Sequence, residues 1–129
     1  MSSLRSDSFA GCILVIDDDR QIRQAIRWAL EDEGFAVLAA AGGADALRLT
    51  QERTPDLVLL DFTLSEQRGD EVAVALRAAH PRTLPILLIT GDGEAASKAQ
   101  QVGAYAFVRK PFELDELLGA IAHGLSQSD

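Results

Sequence analysis

The chain has 129 residues, 47% of them hydrophobic, one cysteine, and twelve basic against twenty acidic side chains, for a net charge of −8. That is enough for one domain with a core that needs neither disulfides nor a structural metal. The charge argues against independent binding to nucleic acid, and no apolar run approaches the roughly 18 residues of a membrane span. Residues 1–10 read as a polar leader, 11–126 as one domain and 127–129 as a tail, with no room for an output domain. Phe9-Ala10-Gly11-Cys12 looks like a lipoprotein cleavage box, but the polar stretch before it lacks an apolar h-region. Cys12 therefore reads as a small residue opening a buried strand, and a lone thiol suits a reducing cytoplasm.

In chain order, Cys12 to Ile16 is the first strand, ending at Asp17-Asp18-Asp19. Ile22, Ile26, Ala29 and Leu30 mark one face of a helix whose opposite side carries Arg20, Arg23, Arg27 and Glu31. Asp19 is its expected N-cap, Trp28 a partly exposed position, and Gly34 its C′ stop. Phe35 to Ala39 is a second strand, followed by Gly42-Gly43 and a helix to about Arg53. Thr54-Pro55 breaks the chain before Leu57 to Leu60, a third strand ending at Asp61. A polar loop leads to a helix carrying Val72, Leu76 and Ala79, closed by His80-Pro81. Leu84 to Thr90 is a fourth strand, Glu94 to Val102 a short helix, and Tyr105 to Arg109 a fifth strand. Leu114, Leu117, Leu118, Ile121 and Leu125 stripe the last helix.

Five βα units with strands apolar on both faces predict a parallel sheet covered by helices on both sides. The expected class is α/β, a doubly wound, flavodoxin-like sheet of order 2-1-3-4-5. Ligands of such sheets sit outside the carboxyl ends of the strands, where this chain places Asp17-Asp18, Asp61, Thr90 and Arg109-Lys110-Pro111. Converging carboxylates repel one another unless a hard cation such as Mg²⁺ relieves them. An ionised aspartate is a nucleophile without a general base, and a lysine and a hydroxyl can receive phosphoryl oxygens.

Ile13 to Asp19, Pro55 to Asp61, Ile86 to Gly91 and Lys110-Pro111-Phe112 together resemble the receiver domain of two-component response regulators, over roughly residues 12 to 125. The resemblance implies that Asp61 accepts a phosphoryl group from a histidine kinase or histidine phosphotransfer protein. It implies Mg²⁺, with Mn²⁺ as a substitute, held by Asp17, Asp18, Asp61 and the backbone carbonyl of Thr63. It makes Thr90 the switch hydroxyl, Phe107 the switch aromatic, Lys110 the phosphoryl-binding lysine, and the bond to Pro111 often cis. It further implies a cytoplasmic signalling module that is not an enzyme, pairing with a downstream partner or a second copy.

Three positions depart from the family pattern: Leu64-Ser65 stands where methionine-proline is common, and Asp92 lies where dephosphorylation is tuned. Read one residue at a time, blander assignments hold: Asp17-Asp18-Asp19 as a capping cluster, Asp61 as a turn residue, Lys110 as surface charge. Tyr105 is expected on the same face as Phe107, and His80 and His123 as solvated imidazoles. The competing functions are a Mg²⁺-dependent phosphatase using Asp17-x-Asp19, and a receiver-like scaffold that is never phosphorylated. Gly91-Asp92-Gly93-Glu94-Ala95-Ala96 fits a dinucleotide pattern, but its carboxylates oppose a pyrophosphate.

Overall fold

A computed structural model describes residues 11–62, 69–80, 84–91 and 93–126. Strands β1 (Cys12–Ile16), β2 (Ala36–Ala40), β3 (Leu57–Asp61), β4 (Ile86–Thr90) and β5 (Ala106–Arg109) alternate with helices α1 (Arg20–Asp32), α2 (Gly43–Glu52), α3 (Gly69–Ala79), α4 (Ala95–Val102) and α5 (Leu114–Ser126). All strand pairs are parallel, in the order β2-β1-β3-β4-β5, as the sequence predicts.

The pleat divides the core into two layers. Leu14, Ile16, Val58, Leu60, Ile86 and Leu88 face α2, α3 and α4, where they meet Ala46, Val72, Leu76, Ala99 and Val102. Ile13, Val15, Leu57, Leu59, Leu87 and Ile89 face the other way, against Ile26 and Leu30 of α1 and Leu117 and Ile121 of α5. Burial on both faces explains why the strands are continuously apolar rather than alternating. Cys12 is buried at the start of β1, and burial pushes its thiol up from the ordinary value.

Helix ends follow local chemistry. The Asp19 carboxylate accepts from the backbone N–H of Gln21 and Ile22, the expected N-cap. At the other end Gly34, with φ +98°, donates to Glu31 while Phe35 donates to Leu30, a Schellman closure. That closure spends the Phe35 N–H on α1, so the second strand starts one residue later than expected and runs on to Ala40. The fourth strand starts at Ile86 rather than Leu84, because Pro85 has no N–H for the ladder, although its carbonyl accepts from Val58.

Two expectations are corrected. Tyr105 lies just outside β5 and packs on the α1–α5 layer, whereas Phe107 packs on the α2–α4 layer. The backbone N–H of Tyr105 already donates to Ile86 O of β4 at 3.1 Å, but the side chain turns to the α5 side, where its hydroxyl donates to the Ala120 carbonyl at 2.6 Å. His80 is not fully solvated: its Nε2 is buried, with no hydrogen-bond partner among the described residues. His123 is exposed, with its ring 6.2 Å from that of Tyr105, and Trp28 is 62% exposed.

Candidate functional site

At the carboxyl end of the sheet, β1 and β3 are neighbours and β4 and β5 follow, so each strand delivers its last residues to one cleft. Asp61 closes β3, Thr90 closes β4, Asp17 and Asp18 follow β1 directly, and Lys110 follows β5. Three of these polar residues are almost wholly buried: Asp17 is 1% exposed, Asp61 6% and Thr90 2%. Such burial of unlike hydrogen-bonding groups at strand ends is uncommon without a purpose.

The backbone aims each group. Asp17 N–H donates to Ala40 O at 3.1 Å, extending the β1–β2 ladder by one rung, and its Oδ1 accepts from Asp19 N–H at 2.9 Å. Arg23, one turn into α1, donates from Nη1 to the Asp17 carbonyl at 2.8 Å. Phe62 N–H donates to Ile89 O, and Gly69 N–H to Phe62 O at 2.8 Å, fixing the chain on both sides of the loop that follows Asp61. A Cβ on Gly69 would stand 2.9 Å from Phe62 Cα, so only glycine permits α3 to start there. Lys110 N–H donates to Thr90 O at 2.9 Å, and the Lys110–Pro111 bond is cis.

The charges are arranged around the lysine. Lys110 Nζ lies 3.2 Å from Asp17 Oδ2 and 3.5 Å from Asp61 Oδ2. Burial alone pulls the ammonium's pKa down, but the charges of Asp61 and Asp17 outweigh it and leave the group above its ordinary value. Asp17 Oδ2 makes this ion pair without a properly aligned hydrogen bond, so a buried carboxylate oxygen keeps acceptor capacity. One carboxylate oxygen each from Asp17, Asp18 and Asp61 lies within 4.8 Å of the others. Hard oxygen donors, an excess of negative charge and an unsatisfied buried oxygen together fit a small divalent cation.

The sequence-predicted residues Asp17, Asp18, Asp61, Thr90 and Lys110 thus converge. Phe107 sits opposite Leu88 in the β4–β5 pairing, two residues short of Thr90, and is partly buried on the α4 side. Thr63, Leu64, Ser65 and Asp92 lie outside the described residues. Asp19 is not a member of the acidic group, since its carboxylate caps α1, which removes the acid partner that the phosphatase reading needs. Sequence reasoning missed Arg23, which it placed on the solvent side of α1. It also missed Lys98, whose Nζ stands 4.9 Å over the Phe62 ring next to Asp61. The helical spacing from Asp17 to Arg23 was the available signal for the first; nothing local signalled the second.

Residues 13–122 match the family model described as the response regulator receiver domain. The chain is 38% identical over 111 residues to the transcriptional regulatory protein KdpE of Mycobacterium tuberculosis, covering 84% of this chain and 48% of that protein. It is 31% identical over 118 residues to the DNA-binding transcriptional regulator NtrC of Escherichia coli K12, covering 90% of this chain and 25% of the relative. It therefore spans about half the length, or less, of these curated relatives. Among solved structures, the receiver domain of NtrX from Brucella abortus superposes with a TM-score of 0.82 at 35% identity, covering 90% of this chain and 99% of that one. A response regulator from Chloroflexus aurantiacus superposes with the same score at 31% identity, covering 91% of this chain and 98% of the other.

Proposed function

The chain belongs to the response regulator receiver domain family of two-component systems, and from that premise we propose that Asp61 is its phosphoacceptor. The observation that carries the reading is the buried Asp61 carboxylate with the Lys110 ammonium 3.5 Å away, the same ammonium lying 3.2 Å from Asp17. Phosphoryl transfer from a kinase is the general function of the family; the donor here would be a phosphohistidine of a kinase or of a phosphotransfer protein. An Asp61 oxygen attacks phosphorus, the P–O bond forms as the P–N bond breaks, and the leaving ring nitrogen keeps the electron pair, the ring's other nitrogen already carrying a proton so that the imidazole departs neutral. The products are an aspartyl phosphate and a neutral histidine.

Lys110 holds positive charge against the phosphoryl oxygens through the transfer, and the Thr90 hydroxyl donates to one of them. Asp17, Asp18 and Asp61, with the backbone carbonyl of Thr63, would hold Mg²⁺, for which Mn²⁺ can substitute. When bound, that ion neutralises charge on the phosphoryl group and on the acidic cluster. Thr90 and Phe107 would carry the change of state to the surface around α4 and β5, which a downstream partner or a second copy reads. The protein assists its own phosphorylation and dephosphorylation but turns over no separate substrate. No helix among the described residues is long and apolar enough to cross a membrane; a cytoplasmic setting accords with the lone thiol, and the absence of direct nucleic-acid contact with the charge.

Intact-mass measurement after incubation with Mg²⁺ and an acyl phosphate tests the reading. One phosphoryl adduct is expected in the wild type and none in Asp61→Asn. Persistence of the adduct in Asp61→Asn would remove Asp61 as acceptor, and its absence from the wild type with several donors would favour a scaffold.

A further inference from the structure

We propose that Arg23 is a positioning residue that holds Asp18 in place for the divalent ion, an inference resting on the metal-binding reading of the acidic cluster. Residue 17 is held at three atoms besides its salt bridge: its N–H by Ala40, its Oδ1 by the Asp19 N–H, and its carbonyl by Arg23. Asp18 has no such support, since no hydrogen bond to its side chain is made among the described residues, and it is the least buried of the three acids. Its carboxylate direction therefore depends on the backbone that carries it. The carbonyl bound by Arg23 belongs to the peptide joining Asp17 to Asp18. Rotation of that peptide turns the Asp18 Cα–Cβ bond, and the Arg23 hydrogen bond at 2.8 Å resists the rotation.

The sign of the electrostatics makes the role testable. A guanidinium beside a cation site repels the incoming cation, so on charge alone its removal tightens binding. A positioning role predicts the opposite, because ligand geometry is lost, and supporting residues of this kind commonly change metal affinity by about tenfold or more. Arg20 is the internal comparison: it lies on the same helix, three residues earlier, is exposed, and makes no such bond to Asp17.

Calorimetric titration of Mg²⁺ into the full chain separates these cases. Arg23→Met is expected to weaken binding about tenfold, Arg23→Lys to recover part of the loss, and Arg20→Met to leave affinity unchanged or slightly tighter. In an Asp18→Asn background, Arg23→Met should weaken binding little further, since both changes act through one ligand. Arg23→Gln, which keeps a neutral donor, is measured alongside so that a folding defect of one variant does not stand in for the result. Affinity retained or improved in Arg23→Met and Arg23→Gln would overturn the role, as would an equal loss with and without Asp18. A wild type that binds no Mg²⁺ at millimolar concentration would instead overturn the metal reading itself.

Discussion

Lys110 reaches Asp61 across an intervening strand: the two belong to the ends of β5 and β3, yet Nζ lies 3.5 Å from Oδ2 with β4 between them. The lysine stem reaches past the end of β4, whose last residue, Thr90, accepts from the Lys110 backbone N–H. Replacing Lys110 with Met keeps the stem and removes the charge. Adduct formation on Asp61 should fall at least tenfold, about 1.4 kcal/mol of lost transition-state stabilisation, while the fold survives by circular dichroism. A rate within twofold of wild type would show that the ammonium plays no part in transfer.

Without a bound cation, three carboxylates crowd one ammonium. Asp18→Asn removes one negative charge at the more open edge of the cluster. Its metal-free melting temperature should rise by a few degrees, on the order of 1 kcal/mol, and most of the stabilisation that Mg²⁺ gives the wild type should vanish. Scanning fluorimetry with and without Mg²⁺ checks both effects; a lower metal-free melting point would argue that Asp18 is not repelled.

Besides the buried Cys12 thiol, whose pKa is also raised, two further groups should weaken the fold at alkaline pH. Burial raises the Tyr105 pKa to about 12, and the net effect of Asp61 and Asp17 raises that of Lys110. A pKa raised in the folded state adds stability below the unfolded value, and that stability is lost as pH climbs through the folded one. Stability should therefore be flat through neutral pH in respect of these groups and decline above about 10. Tyr105 is the only tyrosine, so its ultraviolet titration reads the shift directly. A midpoint near 10 with the fold intact would contradict its burial.

Gly69 begins α3 against the backbone of Phe62, the residue after Asp61. Gly69→Ala forces these backbones apart and should cost about 2 kcal/mol in denaturant unfolding. It should also slow modification of Asp61, because Phe62 is displaced. A neutral effect on both would mean that the loop absorbs the methyl group freely.

Helix α4 is the weakest on its own terms: eight residues, no side-chain cap at Glu94, and a buried face of Ala95, Ala99 and Val102. Arg77 of α3 compensates at its far end by donating to the carbonyls of Val102 and, at 2.9 Å, Gly103. Arg77→Met should cost about 1–2 kcal/mol and accelerate hydrogen exchange selectively in α4. Loss of protection spread evenly over the sheet would refute a local role.

Much of this was legible in the sequence because strand ends carry polar residues abruptly after apolar runs. Asp17, Asp61 and Thr90 each follow such a run, and parallel order alone brings them to one edge. What was not legible depended on competition for single backbone groups. Phe35 is the more hydrophobic residue, but its N–H closes α1, and Pro85 offers none to the sheet. Tyr105 was misplaced because its hydroxyl donates to the Ala120 carbonyl of α5, a partner that strand periodicity does not show. Arg23 looked like solvent charge because helical spacing assigns a direction to a side chain but not the carbonyl at its tip.

The sheet order also divides the site mechanically. Its acids are carried by β1 and β3, each paired on both sides, whereas Lys110 hangs from β5, an edge strand of four residues paired only with β4. Edge strands open at lower free energy than interior ones. Local opening at this edge is expected to move Lys110 before the carboxylates, so on the proposed function a donor would reach Asp61 by loosening one strand without disturbing the acids that would hold the metal.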